Sequence, residues 1–368
     1  MRARIGIVIL ILVIAVVVGF SLVSRRGGPT GVPGGPEGAT SSGERVTLKG
    51  LVGGEKINLL QDPDITRILR DKYGILVQAD KRGSVEMVQG DTAGVDFLWP
   101  SNEIALNLYK QKHPTVGADT LFNSPLVIYS WDKVTEALVK AKVVKLENGA
   151  YYIVDFRKLV DLMDKGASWQ SLGLDQLHGK VLIYSTDPGK SSSGQLFSAL
   201  LADSLTNDDV SDPRKVKAVL PAIKRLFDQQ GLMLESSKDL FEQFLSRGMG
   251  NKQLVVGYEA QLVEYDIDNP QGMSSRQNAV RTLYPRPTVW SAHPLIALSA
   301  NAKRLSAAMK DPQIQDIAWR RHGFRSATGA PNDPKAVQVP GIPATIDNIV
   351  QLPAPAVMQT IENKIEGK

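Results

Sequence analysis

Val181-Leu182-Ile183-Tyr184-Ser185-Thr186-Asp187-Pro188-Gly189-Lys190-Ser191-Ser192-Ser193-Gly194 runs directly into the amphipathic segment 195–205. The apolar opening reads as a strand at 181–185, Asp187-Pro188-Gly189 as a turn, and the spacing after Gly194 as a helix. A strand that ends in hydroxyls and glycine and then opens a helix is the repeating unit of an α/β architecture. Free backbone N–H groups, the positive helix end and several hydroxyls meet there, which suits an anion or a carboxylate. A cap needs one serine and this loop offers several hydroxyls plus Lys190, so we read a ligand contact, with capping by Ser191 or Ser192 as the alternative. The loop is not a Walker A motif, because Gly189-Lys190-Ser191 would need glycine at 184, where Tyr184 stands.

Working outward, the same junction recurs. A strand at 46–52 meets Gly53-Gly54-Glu55-Lys56, a strand at 75–79 meets Lys81-Arg82-Gly83-Ser84, and a strand at 95–99 meets Pro100-Ser101. In open α/β sheets ligands sit beyond the carboxyl ends of strands, where such junctions converge. Helices are expected at 57–72, 84–89 and up to Lys112, and a further strand at 124–130. Glu147-Asn148-Gly149 between apolar runs in 143–154 signals a hairpin. Helices at 156–165, 213–229 and 238–247 follow, then a strand at 254–258, apolar runs at 280–284 and 295–298, and helices at 302–310 and 313–322. Gly323 stands where a helix C-cap is expected. The tail from Ser326 is rich in proline and leads to a short terminal helix. No repeat of fixed period is present.

At 368 residues, with 43% hydrophobic and 22% charged residues, the chain has the composition of a folded body of more than one domain. Cysteine is absent, which excludes disulfides, thiolate metal sites, a cysteine nucleophile and a lipid-modified cysteine. The net charge of +5 is concentrated at the start: beyond residue 43 there are 39 basic against 37 acidic residues. With no long run of like charge, nucleic-acid binding is not expected. Residues 5–23 are 19 consecutive uncharged, mostly aliphatic residues between arginine pairs. As a helix they would reach roughly 28 Å, enough to span a bilayer, so an anchor at 1–26 is expected, with a cleaved signal as the alternative. Residues 24–43 hold seven glycines and three prolines, so 27–44 reads as a flexible linker.

Catalytic signatures are scarce. His113, His178, His293 and His322 are dispersed without metal-ligand spacing, and neither G-x-S-x-G nor G-x-G-x-x-G occurs, so no metal and no cofactor is expected. His293, inside the rigid Pro285-to-Pro294 segment, has the best functional case of the histidines. Glu259, after a strand end at Tyr258, could orient a ligand or a hinge, or simply cap a helix start.

Ser-Thr-Asp-Pro with the following serines and Gly194, Gly257-Tyr258-Glu259-Ala260-Gln261, Tyr284-Pro285 with Pro287-Thr288, and Ala318-Trp319 with His322-Gly323-Phe324-Arg325 together resemble the extracellular solute-binding proteins of the type 2 periplasmic-binding fold, over about residues 45–325. The resemblance brings to mind the oxyanion binders of that group, which close two α/β lobes around a ligand and deliver it to an ABC transporter. It implies a lobe at 45–126 and 284–368, a second at 127–283, and hinge crossings near Ser124 and Arg281. It also implies ligand contacts at Gly54 and Glu55, at Gly83 and Ser84, at Pro100 and Ser101, from Ser191, Ser192, Ser193 and Gly194 of the second lobe, and from Tyr258 and Glu259 at the return crossing. The expectation is a single-pass protein of the cytoplasmic membrane with an extracytoplasmic head. That head would bind a small oxyanion or carboxylate and would have a membrane permease as partner. Glu55 and Lys56 stand where many oxyanion binders carry serine or threonine, and the anchor and long tail depart from a plain binder. A signalling or envelope-stress interaction protein, or a small-substrate transferase using Glu259, Asp187 or His293 as base, are the alternatives.

Overall fold

The computed structural model describes residues 45–269, 279–337 and 339–368; the expected anchor at 1–26 and linker at 27–44 lie outside the described residues. Among the described residues, no helix is long and apolar enough to cross a membrane.

Strand β1 (Val46–Val52) runs into a 3-10 turn (Gly54–Lys56) and the short α1 (Ile57–Gln61). Asp62 then accepts the N–H groups of Asp64 and Ile65, and Pro63 takes the first position of α2 (Pro63–Tyr73). The single helix expected over 57–72 is therefore two, because a proline without an N–H starts helices and does not continue them. Next come β2 (Ile75–Lys81), α3 (Ser84–Gln89), β3 (Phe97–Trp99) and α4 (Glu103–Lys112). Strand β4 (Gly117–Trp131) is 15 residues long, far longer than the strand expected at 124–130, and passes straight into α5 (Asp132–Lys140). The hairpin β5 (Val144–Glu147) and β6 (Tyr151–Asp155) turns at Asn148 and Gly149, both at positive φ, as the Asn-Gly signal requires. Helix α6 (Phe156–Asp164), strand β7 (Ile183–Tyr184), helices α7 (Ser192–Leu205), α8 (Pro213–Asp228) and α9 (Ser237–Arg247), strand β8 (Leu254–Tyr258) and helix α10 (Glu259–Asp268) follow. The chain closes with β9 (Val280–Arg286), β10 (Trp290–Ala297), α11 (Ala300–Ala308), α12 (Pro312–His322), β11 (Arg325–Ser326) and α13 (Pro355–Glu366).

The long β4 organises the molecule. Its first part pairs antiparallel with β10 through Pro125↔Trp290, and its second part pairs antiparallel with β8 and β9 from Leu126 onward. Strands β1, β2 and β3 are parallel to one another and extend the first sheet beyond β10. Strands β6 and β5 extend the second sheet beyond β9, and β7 lies parallel to β8. The chain crosses between the sheets near Ser124 and returns at Pro287–Val289, between β9 and β10, and not near Arg281, which pairs with Ser130 inside the second sheet. Each sheet has its own core. Phe97, Trp99, Phe122, Leu305 and Phe324 belong to the first, and Phe156, Trp169, Phe197, Phe227 and Phe244 to the second.

Three features depart from the sequence reading. Helix α7 is not amphipathic in use: every residue from Ser192 to Ser204 is buried, as a helix hemmed in on all sides must be. The strand expected at 181–185 pairs only at Ile183 and Tyr184. The reading grouped 284–368 with the first lobe, yet Met358, Ile361 and Ile365 of α13 are buried in the second sheet's core. The tail thus recrosses the molecule to bury the apolar face of its last helix.

Candidate functional site

The loops at the carboxyl ends of β1, β2 and β3 face the loops that open α7, α9 and α10, and a cavity of about 30 Å³ lies between them. From the first sheet it is lined by Gly53, Gly54, Glu55, Lys81, Arg82, Gly83, Ser84 and Ser101; from the second by Ser191, Ser192, Glu235, Ser236, Ser237 and Tyr258. The walls touch at Gly83, where a Cβ would stand 2.7 Å from the carbonyl oxygen of Lys190. Only glycine permits that approach.

The first wall is a closed polar network. Lys56 is fully buried, and its ammonium donates to Glu55 Oε1 at 2.6 Å, Ser101 Oγ at 2.9 Å and His293 Nδ1 at 3.1 Å. An ammonium has no acceptor, so Nδ1 accepts and the His293 proton lies on Nε2, 3.2 Å from Ser291 Oγ. Ser291 in turn donates to the Ser101 carbonyl, and Ser101 to Glu55. Burial would raise the Glu55 carboxyl, but the Lys56 charge and the hydrogen bonds from Lys56 and Ser101 outweigh it and hold it at about 2. Burial, helped by the Lys56 charge, pushes His293 well below its ordinary value. The network is thus an ion pair plus a neutral imidazole.

The second wall has donors to spare. Ser191 is the N-cap of α7 but makes no side-chain cap bond, which leaves first-turn N–H groups uncapped. The N-cap of α3 across the cleft, Gly83, also has no side chain to offer. Ser192 Oγ is buried without a hydrogen-bond partner among the described residues, and Tyr258 Oη, buried beside the Ser193 and Ser291 hydroxyls, makes no hydrogen bond of normal geometry to them. Burial and the nearby Glu55 charge push the Tyr258 phenol far up, so it stays protonated and can donate. At the rim Lys81 meets Asp239 across the cleft at 2.7 Å, and Lys190 pairs with Glu235 on the second wall. Uncapped helix ends, free hydroxyls and basic rim residues together make a donor-rich site suited to a compact anion.

Of the residues expected from sequence, Gly54, Glu55, Gly83, Ser84, Ser101, Ser191, Ser192 and Tyr258 line this cavity. Pro100, Ser193, Gly194 and Glu259 do not. Ser193 Oγ is tied to Thr186 Oγ1 at 2.7 Å and Ser191 Oγ at 3.1 Å. Gly194 packs on the backbone of Thr186 and Asp187. Glu259 receives Arg325 at 2.6 and 2.9 Å and the Tyr284 hydroxyl at 2.7 Å. It therefore joins β11 to β9 between the sheets. Sequence reading missed Ser236, the N-cap of α9, and Ser237, its first residue. It also missed the burial of Lys56.

No protein-family model matches the chain, and no curated protein matches it. Solved structures do match. The periplasmic binding protein AfuA from Actinobacillus pleuropneumoniae, with fructose-6-phosphate bound, superposes with TM-score 0.57 at 12% identity, covering 89% of this chain and 98% of that one. The sulfate-binding protein SubI from Mycobacterium tuberculosis gives 0.52 at 15% identity over 80% and 89%, and a T. maritima protein with maltose bound gives 0.53 at 13% over 87% and 95%. The chain has the type 2 periplasmic-binding fold. In this periplasmic-binding fold the two sheets are the centres of two lobes, and the cavity lies in the cleft between them.

Proposed function

We propose that the protein is an extracytoplasmic solute-binding protein, tethered to the cytoplasmic membrane through residues 1–26, that closes on a small anion and presents it to an ABC-type permease. The observation that carries this reading is the donor surplus of the second wall: an uncapped α7 end with Ser192 Oγ and Tyr258 Oη unpartnered beside a small cavity. The similar structures whose names specify sulfate and a sugar phosphate support it. Lobe one would comprise 45–126 and the chain from 287 up to the terminal helix, and lobe two 127–286 together with that helix. The ligand would favour the closed form by touching both. Glu55 accepts and cannot donate, so a ligand that keeps a proton, such as hydrogen phosphate, suits this wall better than a fully ionised one. Binding is favoured over transfer chemistry because the candidate bases are engaged: Glu259 with Arg325, His293 with Lys56, and Asp187 with the Gly189 N–H.

The test is a thermal melt of the protein with phosphate, sulfate, molybdate or chloride at matched ionic strength. A ligand at one hundred times its dissociation constant should stabilise by about 2.7 kcal/mol, a shift of a few degrees. Equal melts in all four salts would overturn the anion reading. Cell fractionation and N-terminal sequencing test the tether: a start between residues 20 and 45 would mean a cleaved signal.

A further inference from the structure

We propose that Glu362 of the C-terminal helix α13 is a positioning residue that turns the Gln195 amide toward Asn102 and thereby latches the cleft shut; the proposal rests on the reading of the cleft as one that opens and closes. Gln195, in the first turn of α7, is fully buried. Its Nε2 donates to Glu362 Oε1 at 2.7 Å, and its Oε1 accepts from Asn102 Nδ2 at 3.0 Å. Asn102 belongs to the other lobe and follows the cleft residue Ser101. Its Oδ1 is committed to the Ala105 N–H as the N-cap of α4, so only its amide donors can face Gln195.

The direction of this chain is fixed at both ends. A carboxylate accepts only, so Gln195 must offer it N–H, and the carbonyl of the same amide must then point across to Asn102. Opening the lobes breaks the Asn102–Gln195 bond. Helix α13 also reaches the loop before α7: a Cβ on Gly189 would stand 2.0 Å from Glu366 Oε1. The tail therefore grips the start of the cleft helix at two points.

Protonation would weaken the latch. A neutral Glu362 can donate as well as accept, so it no longer dictates the amide's orientation, and a charge-assisted bond becomes an ordinary one. Burial and the Glu366 charge, opposed by the Gln195 bond, bring this carboxyl to about 7. On α13 the charged neighbours are Glu366, itself paired with Lys368, and the half-buried Lys364. On α8, Arg214, Lys215, Lys217, Arg225 and Asp228 are exposed and Lys224 pairs with Asp228 at 2.8 Å; on α4, Glu103, Lys110 and Lys112 are exposed. On α7 the ionisable group is Asp203, eight residues beyond Gln195 and roughly 12 Å along the helix. The cost of burying the charge is common to open and closed forms; the Asn102 bond separates them.

The chain has no cysteine, so Glu86→Cys on α3 and Leu232→Cys before α9, both exposed, take spin labels on opposite sides of the cleft in the full-length protein without ligand. The interlobe distance should lengthen as pH falls through about 7, with a gain of about twofold in the open-to-closed ratio, because beside a neutral Glu362 the open form can take either Gln195 amide orientation and the closed form only one. Gln195→Met should be more open at every pH. Glu362→Gln keeps the size and an acceptor but cannot titrate, so its distances should be flat with pH. A pH response retained in Glu362→Gln, or none in the parent, overturns the latch. Distances that respond to pH but not to phosphate or sulfate support the latch while the anion reading fails.

Discussion

The two walls of the cleft solve opposite problems with similar residues. On the first, a fully buried lysine, a glutamate, a histidine and two serines satisfy one another: Lys56 alone reaches Glu55, Ser101 and His293. On the second, Ser192 and Tyr258 are as deeply buried but have no partner, and α7 begins without a cap. A buried polar group left unpaired costs about 1–3 kcal/mol. The first wall is therefore a finished piece of scaffold, and the second carries a deficit that a bound anion would remove. Removing a group from the first should damage the fold, and removing one from the second should damage binding while leaving the unliganded fold as stable or more so.

The sharpest way to break that contrast is Lys56→Met. It leaves the Glu55 charge buried without its partner, which should cost about 3–5 kcal/mol of stability in a denaturant titration. Pairing it with Glu55→Gln should restore most of the loss, because two neutral groups of similar volume need no ion partner. A single substitution that costs under about 1 kcal/mol would mean that the network is solvated and the first wall is not scaffold.

How much of this was legible in the chain depends on how local the cause is. The βα junctions at Gly54, Ser84, Ser101 and Ser191 could be placed because a strand, a small residue and a helix start are neighbours in sequence. Helix α5 could have been read from Val134, Ala137 and Leu138, which are all buried; they follow the strand without a break, so no turn residue marked the start. Helix α10 was hidden in the same way behind Tyr258. The burial of Lys56 had no local sign, since its partner His293 lies 237 positions away. Glu259 reads as a site residue because it follows a strand end, and its ion-pair partner Arg325, 66 positions on, has no local sign either.

A second effect, smaller than the loss of the ion pair, belongs to the support behind the second wall. Glu362 is raised from 4.5 to about 7 by burial and by Glu366. The native state therefore holds this proton where the unfolded chain has lost it. Its contribution favours folding fully below about 4.5, declines as pH rises, and is gone above about 7. The decline should be on the order of 2–3 kcal/mol. Asp203, raised to about 6 by burial and Asp208, acts in the same direction, so the slope will be shared. Glu362→Gln should remove its own part and be more stable than the parent at pH 8. A melting curve against pH that is the same for parent and variant would remove Glu362 from the account.

Next in size are the unpartnered hydroxyls themselves. Ser192→Ala removes no hydrogen bond from the unliganded protein and relieves a buried unpaired hydroxyl, so its melt should hold or rise, by up to about 1–3 kcal/mol. Against an anion it removes a charge-assisted bond of about 1.5–3 kcal/mol, roughly ten- to a hundredfold in affinity. Tyr258→Phe should behave alike. Ser193→Ala is the internal control: Ser193 is bonded to Thr186 and Ser191, so it should cost stability and spare affinity. If the Ser192 and Ser193 variants exchanged these behaviours, the two walls would not differ in the way described.

The smallest expected effect sits at the rim, where Lys81 and Asp239 face each other across the cleft at 2.7 Å with both side chains nearly half exposed. A pair in such contact with water holds the lobes together weakly, and Lys81→Ala should change closure by less than about fivefold and leave the melt where it was. Its charge still acts on approaching ligand. Screening at physiological salt sets in over about 8 Å, so Lys81 can draw an anion only over the last stretch into the cleft. Lys81→Ala should therefore slow association at low salt and match the parent near 1 M, with the dissociation rate unchanged. A salt-independent loss of affinity would place the Lys81 ammonium directly on the ligand. The first wall would then contribute a charged donor beside the Glu55 acceptor, and the division between a scaffold wall that only accepts and a wall that donates would fail at its edge.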